Sequence, residues 1–79
     1  MANLEKFNAV FCEVFSVEES RLDDSFDNQH VQGWDSVRQL SLTAGLEDAF
    51  GIMLDAEDIL ECTSYAKAKA IMAKYNIEL

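Results

Sequence analysis

The chain has 79 residues, 49% of them hydrophobic, and fifteen acidic against six basic side chains give it a formal net charge of −9. This length allows one small domain and leaves no room for a buried catalytic apparatus beside a core. The acidic balance excludes a typical nucleic-acid-binding protein, because phosphates would be repelled. No apolar run approaches the roughly 20 residues that span a bilayer. We therefore expect a soluble, cytoplasmic protein without membrane insertion.

Cys12 and Cys62 are the only cysteines. Two cysteines without C-x-x-C spacing are too few for a disulfide scaffold and do not form a metal motif. We expect Cys12 to be a buried free thiol and expect no structural disulfide.

A first amphipathic helix is predicted over residues 3–16, with Asn3 as its N-cap. Its apolar residues recur at helical spacing and are Leu4, Phe7, Val10, Phe11, Val14 and Phe15. We assign the phenylalanine stripe to the core rather than to a ligand site.

Residues 17–32 form a long polar connection in which Leu22, Phe26 and Val31 are isolated apolar anchors. Its aspartates suggest a calcium loop, but the register fails. Counting from Asp23, position six should be glycine and is Asn28, and position twelve should be glutamate and is Trp34. We predict no dedicated metal site.

A central helix is predicted within Gly33–Gly51. Asp35 or Ser36 can be its N-cap, Ser36 and Gln39 fit the capping-box pattern, and Gly51 fits the C′ position. Its apolar face is expected to pack into the core, and the opposite face to be open. The apolar face comprises Leu42, Leu46, Ala49 and Phe50; the open face comprises Arg38, Ser41, Gly45 and Asp48.

Two more helices are predicted after this central one. Asp55 can cap a short helix over residues 56–60, and Thr63 or Ser64 can cap a last helix running to Tyr75. No strand-like alternation, repeat or domain boundary is present. The predicted fold is all-α: one domain over residues 1–79, a small four-helix bundle with three main helices, a short third helix and a long first loop.

Ser36 projects a hydroxyl from the positive end of a helix dipole, where a phosphate can be held. A Ser–His nucleophile is disfavoured, because His30 is the only histidine and there is no G-x-S-x-G elbow. Taken alone, Ser36 would be a helix cap. The combination of a small acidic helical chain, a long first loop and W-D-S-V opening a helix that ends L-E-D-A-F-G-I weakens this interpretation as a simple cap.

The sequence resembles the acyl carrier protein family over nearly its whole length. The family signature, Asp-Ser-Leu before a helix that ends Leu-Glu-x-x-Phe, reads here Asp35-Ser36-Val37 and then Leu46 to Phe50. The resemblance implies that a phosphopantetheinyl transferase attaches 4′-phosphopantetheine from coenzyme A to Ser36. The terminal thiol would hold acyl groups as thioesters, and the protein itself would catalyse nothing.

The resemblance also implies docking faces on the second and third helices for a loading enzyme and for downstream biosynthetic enzymes. These faces would include Asp35, Val37, Arg38, Ser41, Asp48, Glu57 and Asp58. Leu42, Leu46 and Phe50 would form the core or line a pocket for the acyl chain. We expect a monomer, because no face shows an obvious large apolar patch.

Three departures from the family pattern favour a specialised carrier over a housekeeping fatty-acid carrier. Val37 replaces the usual leucine, and Arg38 and Ser41 stand where fatty-acid carriers often have acidic residues. An arginine among acids weakens docking to partners built for an all-acidic helix. Gly45 is read either as a point of close approach for a partner or as a tolerated glycine.

Three alternatives remain open from the sequence. An aminoacyl or peptidyl carrier is the nearest, although such carriers usually precede the serine with Gly-Gly. A D-alanyl carrier is the second. The third is an unmodified acidic helical adaptor that binds a basic partner and uses Ser36 only as a cap.

Overall fold

A computed structural model describes residues 2–79. Four α-helices follow one another: α1 (Asn3–Phe15), α2 (Ser36–Phe50), α3 (Ala56–Glu61) and α4 (Tyr65–Lys74). A 3-10 turn (Glu19–Arg21) interrupts the long first loop. Within residues 2–79 the only β-type pairing is an isolated bridge between Asp27 and Ser64. The predicted all-α bundle with a short third helix is confirmed.

The helix α1 does not begin in the way that was predicted. Ala2 occupies the N-cap position without a side-chain hydrogen bond, so the prediction that Asn3 is the cap is wrong. Asn3 is the first helical residue, and its amide Nδ2 donates instead to the carbonyl of Glu78, 2.8 Å away. Ser16 ends the helix in the left-handed conformation, with φ of 55°.

Aromatic side chains form the centre of the core. Phe7 and Phe11 are fully buried, and their ring centroids lie 5.1 Å apart. Tyr65 of α4 packs against both rings, at 5.4 Å and 5.2 Å. Trp34, just before α2, packs on Phe15 at 4.6 Å. The assignment of the phenylalanine stripe to the core is therefore confirmed.

The first loop is fixed to the rest of the molecule near its start and at its middle. Phe26 is buried in the core, as its role as an apolar anchor predicted, and its carbonyl accepts from the Tyr65 N–H at 2.8 Å. Near α1, Asn8 Nδ2 donates to Glu19 of the 3-10 turn at 2.8 Å, and Tyr65 Oη donates to Asn8 Oδ1 at 2.5 Å. These contacts hold the segment that leads to α2.

The predicted C-terminal end of α2 and the predicted N-cap of α4 are confirmed. Gly51 follows α2 with φ of 63°, and its N–H donates to the Glu47 carbonyl. Ser64 is the N-cap of α4 and accepts from the Lys67 N–H at 2.9 Å. Asp55 occupies the N-cap position of α3, although its side chain makes no capping hydrogen bond.

Candidate functional site

Ser36 is the first residue of α2, and its side chain is exposed. The N-cap is Asp35, whose Oδ1 accepts from the Arg38 N–H at 2.8 Å. The predicted capping box between Ser36 and Gln39 is wrong, because a capping box requires the serine at the N-cap and Ser36 lies one position inside the helix. The Ser36 hydroxyl is therefore not the group that caps α2.

The N-terminus of α2 provides the positive potential expected next to Ser36. The first N–H groups of a helix have no partner within the helix. The Asp35 carboxylate accepts a hydrogen bond from the Arg38 N–H. The N–H groups of Ser36 and Val37 lie at the positive end of the helix dipole. A phosphodiester on the Ser36 oxygen is compatible with this environment.

An open cavity of about 420 Å³ lies beside Ser36, between α2, α3 and the first loop. Ser36 and Leu40 contribute from α2, and Leu60 contributes from α3. The complete lining is Asn28, Trp34, Asp35, Ser36, Gln39, Leu40, Ile59 and Leu60. The cavity therefore joins the exposed hydroxyl to apolar side chains on both helices.

Gln39 lies at this cavity and connects three parts of the chain. Its Oε1 accepts from Trp34 Nε1 at 3.2 Å, and its Nε2 donates to the carbonyls of Ile59 at 2.9 Å and Leu60 at 3.2 Å. We call these three contacts the Gln39 bridge. No pattern in the sequence indicates the two contacts with α3, because Ile59 and Leu60 are 20 and 21 positions from Gln39 along the chain.

Most of the side chains predicted to contact partners are exposed: Asp35, Val37, Arg38, Ser41, Asp48 and Glu57. Asp58 is the exception, because it is 2% exposed. Its carboxylate accepts from Lys74 Nζ at 2.9 Å and from Tyr75 Oη at 2.7 Å. The placement of Asp58 on a docking face is therefore corrected: it connects α3 to the end of α4.

The α2 face predicted to be open lies partly against α1. Arg38 Nη1 donates to the Val14 carbonyl at 2.6 Å, near the C-terminal end of α1. Gly45 is half-buried, and a Cβ built there would lie 2.8 Å from Val10 Cγ1. The prediction of an open face is therefore wrong at Gly45, where the close approach is made by α1 of the same chain.

Exposed apolar side chains gather near Ser36, contrary to the expectation of no apolar patch. Val37 is 71% exposed, Leu40 is 57% exposed and Leu60 is 74% exposed. Val37 and Leu40 are three residues apart on α2 and so share a face, while Leu40 and Leu60 line one cavity. We call Val37, Leu40 and Leu60 the apolar patch. The sequence analysis did not identify Leu40. Its position outside the buried stripe of Leu42 and Leu46 was the signal that its side chain faces solvent.

The residues predicted as core or acyl pocket belong to the core. Leu42 and Leu46 are fully buried, and Phe50 is half-buried against the same cluster. Phe50 lies near α1, where Lys6 Nζ is 4.9 Å from its ring centroid.

The remaining polar candidates have structural partners. His30 Nδ1 lies 2.8 Å from Asp27 Oδ1, and this hydrogen bond lowers the pKa of the Asp27 carboxyl. Cys62 is fully buried, and burial raises the pKa of its thiol to about 12.

Among the described residues no cluster of three or more His, Cys, Asp or Glu side chains could hold a metal ion. No helix within residues 2–79 has the length and apolar character needed to cross a membrane.

Comparison with known proteins identifies the family. A family model described as a phosphopantetheine attachment site matches residues 5–70, which is most of the chain. No curated protein and no solved structure gives a significant match. Members of this family are non-catalytic carriers with a covalent 4′-phosphopantetheine group, and they interact with phosphopantetheinyl transferases and biosynthetic enzymes. The chain belongs to the phosphopantetheine-attachment family and is a carrier protein of the acyl carrier type.

Proposed function

We propose that Ser36 carries the phosphopantetheine group and that the protein delivers acyl intermediates to enzymes of a fatty-acid, polyketide or other specialised pathway. The observation that supports this most strongly is the position of Ser36, exposed at the first turn of α2 while Asp35 caps the helix. A serine that the helix does not need as a cap is available for modification. When attached, the group supplies a terminal thiol that holds the cargo as a thioester.

We propose that partner enzymes dock on the apolar patch beside Ser36. Its three side chains are more than half exposed, and burying exposed apolar area is the main source of affinity in many interfaces. In α2 the acidic side chains are Glu47 and Asp48, both in the last turn. Docking here therefore depends more on apolar contact than on an acidic helix, which supports a specialised pathway.

Arg38 contributes to this selectivity from a fixed position. Its contact with the Val14 carbonyl holds the guanidinium at the junction of α1 and α2, beside Glu13 and Asp48 in the same groove. A positive group in this position disfavours partners whose binding surface is strongly basic.

The attachment is tested by intact-mass spectrometry after incubation with coenzyme A, magnesium and a promiscuous phosphopantetheinyl transferase. The unaltered protein should gain the mass of one phosphopantetheine, and Ser36→Ala should gain none. Ser20→Ala is the matched control, since Ser20 is an exposed serine of the 3-10 turn, away from the predicted docking faces, and it should be modified like the unaltered protein.

We expect Ser36→Ala to fold like the unaltered protein, because the capping hydrogen bond of α2 is made by Asp35 and is kept in this variant. Circular dichroism should show unchanged helix content in that variant. No mass gain on the folded unaltered protein with several transferases, or a gain that persists in Ser36→Ala, would contradict the proposal.

A further inference from the structure

The Gln39 bridge closes the seam between α2 and α3 next to Ser36. Ser36, Gln39 and Thr43 follow one another at helical spacing along α2, and Thr43 is already 2% exposed. The direct path along α2 from the Ser36 hydroxyl into the core therefore passes the Gln39 side chain.

The bridge satisfies groups that would otherwise lose a partner. A helix leaves its last four carbonyls without the usual intrahelical hydrogen bonds, and in the six-residue α3 these include the Ile59 and Leu60 carbonyls. The Ile59 carbonyl also accepts from the Cys62 N–H at 3.3 Å, so the Leu60 carbonyl depends more on Gln39. The Gln39 amide accepts the Trp34 N–H and donates to both of these carbonyls. Separating α3 from α2 would break both contacts with these carbonyls.

The two sides of the Gln39 bridge differ in the free volume available to a bound group. On the outer side is the open cavity of about 420 Å³, with Leu40 and Leu60 as apolar walls and the Asn28 and Gln39 amides as polar lining. On the inner side Leu42 and Leu46 are fully buried in a packed core.

We propose that Gln39 is a specificity-determining residue that keeps the thioester-bound cargo outside the core and selects short or polar acyl groups over long alkyl chains. This inference rests on the proposed function of Ser36. An alkyl chain that enters the seam would displace the Gln39 side chain, and it cannot form hydrogen bonds to the Trp34 N–H and the Leu60 carbonyl in its place. A short polar group in the outer cavity leaves the Gln39 bridge intact.

The experiment compares cargoes on the same protein. A transferase loads Ser36 from acetyl-coenzyme A or octanoyl-coenzyme A, intact mass verifies each product, and the melting temperature is compared with that of the protein carrying the free arm. A chain that enters the core stabilises the folded state, as any ligand that binds only that state does. The methyl NMR signals of Leu42 and Leu46 report the same event independently.

For the unaltered protein we expect the octanoyl and acetyl forms to melt within about 1 °C of each other, with unmoved leucine signals. Gln39→Ala should melt lower with the free arm, and octanoyl loading should raise its melting temperature by about 4 °C or more and shift the leucine signals. Gln39→Met, of similar length but unable to form the bridge, should respond in the same direction. Gln32→Ala, which removes an exposed loop glutamine, is the matched control and should behave like the unaltered protein.

Two outcomes overturn the inference separately from the proposed function. If Ser36 is loaded and octanoyl stabilises the unaltered protein by about 4 °C while shifting the leucine signals, the Gln39 bridge does not exclude the chain. If octanoyl stabilises neither Gln39 variant, Gln39 is not what excludes it. Failure to load any cargo at Ser36 would instead overturn the proposed function and this inference together.

Discussion

Gly45 is a point of close approach between α1 and α2, because a Cβ there would lie 2.8 Å from Val10 Cγ1. A real Cβ does not tolerate such a contact, and the valine side chain is stiff in a helix. Gly45→Ala gains about 1 kcal/mol of helix propensity but incurs an overpacking cost of about 1–3 kcal/mol. We predict a net loss of about 1 kcal/mol in the free energy of unfolding, measured by urea denaturation.

Val10→Ala provides the control for this explanation. The double variant should lose less stability than the sum of the two single variants, because the smaller side chain at position 10 makes room for the new methyl group. If Gly45→Ala is instead more stable than the unaltered protein, Val10 moves aside and the close approach does not require glycine.

Cys62 should be chemically inert in the folded protein. It is fully buried, and burial raises the pKa of its thiol to about 12, so almost no thiolate is present at pH 8. We predict that iodoacetamide modifies Cys62 at least about 100-fold more slowly in the native protein than in urea, as followed by peptide mass mapping. Rapid native labelling would show that α3 and α4 separate readily.

At the scale of the elements, α3 is held by contacts at both ends. The Gln39 bridge joins its C-terminal carbonyls to α2. Asp58 joins it to Lys74 and Tyr75 at the end of α4, and Tyr75 Oη also accepts the Asp55 N–H at 3.0 Å. A helix of six residues has little stability of its own, so these contacts determine whether α3 stays in place.

The Asp58 contacts should make stability depend on pH in the acid range. The hydrogen bond from Tyr75 and then that from Lys74 lower the pKa of the Asp58 carboxyl below its usual value of 3.8. A lowered pKa stabilises the folded state fully above the ordinary pKa, and this stabilisation is lost as the pH falls through the pKa of the folded state. Asp58→Asn should therefore melt below the unaltered protein at pH 7, and the difference should shrink as the pH falls below 3.8.

Asp24→Asn is the matched control for this pH dependence, because Asp24 is an exposed aspartate of the first loop. At physiological salt, where distant charges are screened, its melting temperature should follow that of the unaltered protein over the same range. An Asp58→Asn deficit that stays constant down to pH 2.5, about a unit below the ordinary pKa, would mean that lost packing rather than lost charge destabilises the variant.

At the scale of the whole molecule, local patterns predicted the helices but not the contacts between them. The spacing of apolar residues indicated α1, α2 and α4, and Gly51 and Ser64 marked helix ends through chemistry that acts within a few residues. The contacts of Arg38 with Val14, Gln39 with Ile59 and Asp58 with Lys74 join residues 24, 20 and 16 positions apart. A single sequence carries no periodic signal for such pairs.

The same limit explains the outcome at the candidate site. Ser36 could be selected from its motif and its place before an apolar helix. The apolar patch and the Gln39 bridge arise only when α3 is placed beside α2, because they combine residues from both helices. Asp58 was assigned to a docking surface because charged residues are usually exposed. Its charge alone does not reveal that it is buried and paired.

The net charge of −9 acts on the molecule as a whole, because its extents are only 29 × 27 × 19 Å. The screening length is about 30 Å at 0.01 M salt and about 8 Å at 0.15 M. In dilute salt every acidic group therefore repels nearly every other one across the fold, and at physiological salt only near neighbours interact. This repulsion disfavours the compact state.

We predict that the melting temperature rises as sodium chloride increases from about 0.01 M to about 0.15 M and then levels off, because the screening length by then is shorter than the molecule. The double variant Glu18→Gln/Asp24→Asn, which removes two exposed acidic charges, should begin at a higher melting temperature in dilute salt and rise less. Potassium chloride should act equally, since the effect is one of screening. A melting temperature that falls with salt would show that specific ion pairs such as Lys74–Asp58 outweigh the general repulsion.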